Sequence, residues 1–276
     1  MHYLRSIFFV IALATYTGLA QAQPSQSDRY AAQFQDILDQ HQMKGTILVF
    51  DVQQDRYFSN DFEWASQGFL PASTFKIPNT LIALETGVVV NDANTVLPWD
   101  GKKRYSKAWE KDLSLKDAFR LSCVPCYQEI AGKIGLLRMR QFLQQFSYTN
   151  MDVRDETLQH FWLVGASKIS AFQQVAFLRN FYSRHIKLSD HTYDTMRQIL
   201  EIESTANYSL SGKTGWSTDH GDNGWFVGYL RRGEAMYYFA ANIEPKDAQK
   251  ADEFLAGREK AVRQALQVLG AFEERK

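Results

Sequence analysis

Ser73 and Lys76 lie three positions apart in a stretch of helical periodicity, a spacing that puts both side chains on one helix face and lets the lysine amine reach the serine oxygen. A serine paired in this way is a nucleophile for acyl transfer. The tetrapeptide alone is weak evidence, because roughly one Ser-x-x-Lys is expected by chance in a chain of this length. It also reads as a helix-capping serine followed by a solvated lysine. Lys213-Thr214-Gly215 is rarer, with a chance expectation on the order of a tenth. It falls at the end of an apolar run read as a strand, where backbone groups could line an amide-like substrate and Lys213 and Thr214 could meet a carboxylate. Read alone, it serves equally as an ordinary strand-to-turn junction. Between these motifs lie Ser122-Cys123-Val124 and Tyr148-Thr149-Asn150, and Ser122 is a candidate proton relay.

Positioning these residues requires both helices and strands. Tyr30, Phe34, Ile37, Leu38 and His41 repeat at helical spacing, and residues 45–50 form a β-branched, apolar strand. The stretch around Ser73 continues as a helix through Leu84. Gly87 is placed to end it, and Pro78 should kink it near its first turn. Residues 115–146 and 171–182 are helical. Three strands follow at 208–213, 224–230 and 235–243, with 231–234 as the hairpin turn between the last two, and 252–269 closes as an amphipathic helix. The expected fold class is α/β in the α+β sense: a mostly antiparallel sheet flanked by terminal helices, plus a helical subdomain. The sheet region should take residues 23–70 and 200–276, and the helical region 71–199, with a cleft at the junction.

The chain has 276 residues, 45% hydrophobic and 14% aromatic, ample for a large core. Its 31 basic and 31 acidic residues balance, so no overall field favours nucleic acid or an anionic membrane, and a small molecule is the expected partner. Arg5, the apolar run 7–14 and Ala20-Gln21-Ala22 read as an export signal cleaved after Ala22. Export to the periplasm without a stable membrane anchor is therefore expected, as a monomer or homodimer. Cys123 and Cys126 have neither the further ligands of a zinc site nor the setting of a redox enzyme; they either close into a small disulfide or sit reduced as apolar filler. No metal is expected. A Ser-His-Asp esterase is disfavoured because no Gly-x-Ser-x-Gly elbow occurs.

Ser73 to Lys76 within Pro71-Ala72-Ser73-Thr74-Phe75-Lys76-Ile77-Pro78, then Ser122-x-Val124, Tyr148-x-Asn150, Phe161-Trp162-Leu163 and Lys213-Thr214-Gly215-Trp216, together resemble the class D, oxacillinase-type serine β-lactamases over residues 44–269. Two positions depart from that pattern: Thr149 replaces a usual glycine, and Val164 a common acidic residue. The resemblance implies the penicillin-binding/β-lactamase-like fold and hydrolysis of β-lactam antibiotics through an acyl-enzyme on Ser73. A lysine with a pKa near 10.4 cannot accept a proton at neutral pH, so Phe75, Val124, Trp162 and Leu163 must desolvate it. The resemblance further implies that Lys76 carries carbon dioxide as an N6-carboxylate, held by the Trp162 indole N–H. It also implies that the backbone N–H groups of Ser73 and Trp216 form the oxyanion hole. Val124, Tyr148, Leu163, Lys213, Thr214, Gly215 and Arg258 are then expected around the substrate, with Lys213, Thr214 and Arg258 on its carboxylate. A transpeptidase or carboxypeptidase, or a β-lactam sensor acylated without turnover, is the alternative; the former usually has Ser-x-Asn where this chain has Ser122-x-Val124.

Overall fold

A computed structural model describes residues 26–90, 92–247 and 251–273; the leader expected over residues 1–22 lies outside them. The chain begins with α1 (Gln26–Gln40), whose Phe34 and Leu38 are fully buried, and passes into β1 (Met43–Asp51). β1 turns back as β2 (Arg56–Ser59) and is followed by α2 (Phe62–Ser66). A single 3-10 turn, Ala72–Phe75, then leads into α3 (Lys76–Glu85). Gly87 ends α3 with φ +67°, as its position implied. Pro78 falls in the first turn of α3, where helices tolerate a missing N–H, and the helix changes type just upstream.

The middle of the chain contributes a short ribbon, β3 (Val96–Leu97) with β4 (Leu113–Ser114), then α4 (Leu115–Arg120), α5 (Val124–Ile134) and α6 (Leu136–Gln145). The helical run expected over 115–146 is thus broken twice, at 121–123 and at Gly135, whose φ of +80° no helix accommodates. Two longer helices follow, α7 (Ala171–Tyr182) and α8 (Asp190–Leu200). The chain returns to the sheet through β5 (Glu201–Ser204), β6 (Ser209–Ser217), β7 (Asn223–Arg232) and β8 (Ala235–Pro245), and ends in α9 (Ala251–Val268).

The sheet runs β2-β1-β8-β7-β6-β5, with every neighbouring pair antiparallel. Its two faces follow the period-two alternation of strand side chains. Ile47, Val49, Phe226, Leu230, Phe239 and Ala241 pack with α1 and α9 in one core. Leu48, Phe50, Trp225, Val227, Tyr238 and Ala240 face the other way, into a core continuous with α3, α5, α6, α7 and α8. The helical region therefore shares its core with one face of the sheet.

Besides the β3–β4 ribbon, two strands of the six-stranded sheet escaped the sequence. β2 and β5 are four-residue edge strands, too short for alternation to separate them from loop. The expectation that β6 stops at Lys213 is also corrected: it continues to Ser217, paired with Asn223, so Lys213 lies mid-strand. The Thr-Gly-Trp-Ser sequence has a turn-like composition, but the facing strand overrides it. The turn to β8 is two residues, Gly233 and Glu234, since Arg232 already pairs with Ala235.

Cys123 and Cys126 form a disulfide across the first turn of α5, with Cα atoms 5.4 Å apart, which decides between the two states the sequence allowed. Closing so small a loop stabilises by about 2 kcal/mol in the chain-entropy account. Replacing both cysteines by alanine should therefore lower the melting temperature by roughly 4–8 °C. Melting of the parent but not of the variant should respond to a strong reductant; equal response in both would show that the bond carries no stability.

Candidate active site

Ser73 sits on a turn anchored from three sides. Ala72, with φ +48°, donates its N–H to the Trp162 carbonyl at 2.8 Å. Thr74 Oγ1 donates to the Pro71 carbonyl at 2.6 Å, and the Trp225 indole donates to the Leu70 carbonyl at 2.8 Å. The turn runs directly into α3, so Lys76 rises beside the serine and its Nζ donates to Ser73 Oγ at 3.0 Å. Ser73 is half-buried, whereas Lys76 is fully enclosed.

That enclosure is aromatic. Phe75 stacks on Trp162 with centroids 5.4 Å apart, and Phe161 meets both rings edge-on. From α5, the Tyr127 ring lies 5.1 Å from Lys76 Nζ, while Val124 and Leu163 are half-buried. Loss of water favours the uncharged amine and brings the Lys76 pKa down to about 7. The Trp162 Nε1–H is buried and has no hydrogen-bond partner among the described residues. Buried donors are almost always paired, so this orphan points to a missing acceptor. Among the described residues no group of His, Cys, Asp or Glu side chains could hold a metal ion.

Lys213 projects from β6 and donates to Ser122 Oγ at 2.6 Å and to the Thr214 carbonyl at 3.0 Å. Burial, aided by the charges of Lys76 and Arg258, holds its amine well below the ordinary lysine range. Ser122 has φ +54° in the turn after α4, a left-handed position where glycine is usual. A serine held in this conformation is the kind of local strain found at functional sites. Gly215 permits β6 to approach the Ser73 turn: a Cβ there would lie 3.1 Å from Thr74 Cγ2 and 3.2 Å from the Pro71 carbonyl. Beyond Ser211 no strand covers that edge of β6, because β5 pairs no further, so Thr214 and the half-buried Trp216 lie on an edge open toward the serine. Arg258, from α9, is buried and donates Nη1 to the Gly215 carbonyl, so it belongs to this wall and not to the solvated surface of its helix. Burial lowers its pKa to about 10.

Tyr148 has a different place from the one expected at the substrate. It is buried behind Ser73, its ring edge-on to Phe177, and its hydroxyl donates to Gln174 Oε1 at 3.1 Å. Gln174 in turn donates to Thr74 Oγ1 at 2.8 Å. Tyr148 thus supports the serine turn through Gln174 and Thr74. Thr149, beside it, is exposed. Val164 is 44% exposed, and Asp219, in the turn after β6, accepts the N–H of the following Gly165 at 2.8 Å. Gln174, Tyr127 and Asp219 carry no motif; only a buried polar position on α7 could have hinted at Gln174.

Residues 9–266 match the family described as the penicillin binding protein transpeptidase domain. β-Lactamase OXA-48 of Klebsiella pneumoniae is 35% identical over 242 residues, covering 87% of this chain and 89% of that protein. Among solved structures, the class D β-lactamase YbXI from Nostoc matches with a TM-score of 0.81 at 40% identity, over 86% of this chain and 98% of that one. The C-terminal domain of the Bacillus licheniformis BlaR penicillin-receptor matches with a TM-score of 0.76 at 27% identity, over 86% and 94%.

The support behind the serine turn can be measured by a double-mutant cycle. Gln174→Leu strands the buried Tyr148 hydroxyl and should cost about 1–3 kcal/mol. Adding Tyr148→Phe removes the stranded group and should recover part of that loss. Strictly additive losses in denaturant unfolding would show that the two side chains are not coupled.

Proposed function

The chain belongs to the class D serine β-lactamases, hydrolases of β-lactam antibiotics, and from that premise we propose that it hydrolyses penicillins, oxacillin among them, through a Ser73 acyl-enzyme with carboxylated Lys76 as general base. The observation that carries the proposal is the pairing of an enclosed Lys76 amine with the orphaned Trp162 N–H. A lysine with a pKa about 7 is substantially neutral at physiological pH and can combine with carbon dioxide; the anion so formed needs a buried donor, and Trp162 has one unspent. When carboxylated, Lys76 supplies an anionic oxygen base beside Ser73 for both the attack by serine and the later attack by water.

The remaining work falls to the chain's own side chains and backbone. Ser73 Oγ loses its proton and attacks the lactam carbonyl, and the oxyanion is received by the N–H groups of Ser73 and Trp216. The C–N bond of the ring breaks and Ser122 passes a proton to the departing nitrogen. That proton is the one given up by Ser73, relayed through Ser122, so the base at Lys76 is free again for the water step, while the Lys213 hydrogen bond holds Ser122 Oγ in place. Lys213, Thr214 and Arg258 receive the substrate carboxylate, which would restore the lysine charge, while Val124 and Leu163 keep water from the amine. Water then cleaves the Ser73 ester. The chain acts after export to the periplasm.

Nitrocefin turnover tests the function: many equivalents of product are expected, whereas one stoichiometric burst would favour a sensor or transpeptidase. Because protonation removes the neutral amine, activity should fall as pH drops below about 7 and return with added bicarbonate. A response to pH without any response to bicarbonate would refute the carboxylate. Lys76→Ala should abolish turnover. Trp162→Phe keeps the ring packing but removes the N–H; it should lower kcat at ambient carbon dioxide by tenfold or more, on the order of the 1–3 kcal/mol of a lost buried hydrogen bond to a charge, and raise the bicarbonate needed for half-maximal rate.

A further inference from the structure

One wall of the Lys76 pocket has no part in the proposed chemistry. Tyr127 stands in the first turn of α5, wholly buried, with its ring under the lysine Nζ. The ring is pinned by two residues of the helix that Lys76 begins. Thr80 Oγ1 shares a hydrogen bond of 2.7 Å with the Tyr127 hydroxyl, and Asn79 Nδ2 donates to the Tyr127 carbonyl at 3.3 Å. Asn79 and Thr80 are fully buried and follow Lys76 by three and four positions, so all three rise from one side of α3. On its own helix, Tyr127 donates its N–H to the Cys123 carbonyl at 3.3 Å, within the turn closed by the disulfide. The ring is therefore held in place relative to the amine.

Two effects oppose each other at Nζ. Burial favours the neutral amine. The face of an aromatic ring is electron-rich and attracts a cation, an effect that strengthens when water is excluded. Among the described residues no carboxylate pairs with Lys76, and Trp162, Phe75, Val124 and Leu163 bring no charge. A positive charge on Lys76 disfavours one on Lys213 of β6, itself beside Arg258 of α9, so the two amines oppose each other's protonation in the same direction as burial. Two contacts of Nζ favour the ammonium form, the hydrogen bond to Ser73 Oγ and the face of the Tyr127 ring, and of these only the ring lies outside the reacting pair.

We propose that Tyr127, clamped by Asn79 and Thr80, is a positioning residue whose ring face sets the pH at which Lys76 changes from cation to free amine. The inference rests on Lys76 as the proton acceptor of the reaction. Its role is to keep the amine from becoming too weak a base: without the ring, burial alone would hold Lys76 neutral at lower pH, as a poorer nucleophile toward carbon dioxide.

The test is the acid limb of kcat/KM against pH at ambient carbon dioxide, for wild type, Tyr127→Phe and Tyr127→Leu. Tyr127→Phe keeps the ring face, so the midpoint of its limb should coincide with that of wild type. Tyr127→Leu removes it, so the midpoint should move to lower pH by roughly 0.5–1.5 units, the size expected of a desolvated cation-ring contact. A midpoint in a folded Tyr127→Leu protein that stays fixed or moves upward overturns the proposal. If the leucine variant does not fold, pentafluorophenylalanine at position 127 reverses the ring's electrostatic face at nearly constant shape and must shift the limb downward too; an unchanged midpoint there overturns the proposal equally. A wild-type profile with no acid limb would instead remove Lys76 as the base, so the two failures are distinguishable.

Discussion

An amine that would carry a proton in water is enclosed in this protein beside a serine hydroxyl, and much of the surrounding structure bears on that one enclosure. A displacement from 10.5 to about 7 corresponds to roughly 5 kcal/mol of preference for the neutral form. Such a preference persists only if water stays out, which explains why three aromatic rings, Phe75, Phe161 and Trp162, lie in mutual contact at the start of α3. The same packing leaves one indole N–H, that of Trp162, without a partner among the described residues. Stability and chemistry are coupled here, since any change that admits water to the rings also restores the proton to the amine.

Holding Ser73 against this pocket falls to parts of the chain far apart in sequence. Trp225 and Gly215 come from the C-terminal strands, Trp162 from the loop before α7, and Gln174 from α7 itself. Gly215 matters for what it lacks, because a side chain there would push β6 off the serine turn. Arg258 reaches the same place from α9 and bonds the Gly215 carbonyl, which ties the last helix to the site. The cleft is thus the seam where the sheet meets the helical region, and one hydrophobic core runs across that seam.

On the opposite wall, strain and cross-linking occur together. Ser122 adopts a left-handed conformation between α4 and α5, and the next residue is one half of the disulfide. A turn held in a sparsely populated conformation needs surroundings that over-determine it. Here the disulfide, the Lys213 hydrogen bond to Ser122 Oγ, and the Tyr127 clamp supply that surrounding structure within six residues.

The elements with long, regular periodicity were legible from sequence: α1, α7, α9, the central strands and the helix running through Leu84, because burial of a stripe or an alternating face is written directly into residue order. Ser73, Lys76, Ser122 and Lys213 stood out through the joint order of their motifs, and the structure brings them together as two hydrogen-bonded pairs. Tertiary structure alone decided the rest. The length of β6 depends on a facing strand, the disulfide on the geometry of one turn, and the position of Tyr148 on Gln174, which lies 26 residues away. Tyr127 and Asp219 acquire meaning only when separate segments are brought within a few ångströms, because local propensity cannot encode a contact whose energy arises between distant parts of the chain.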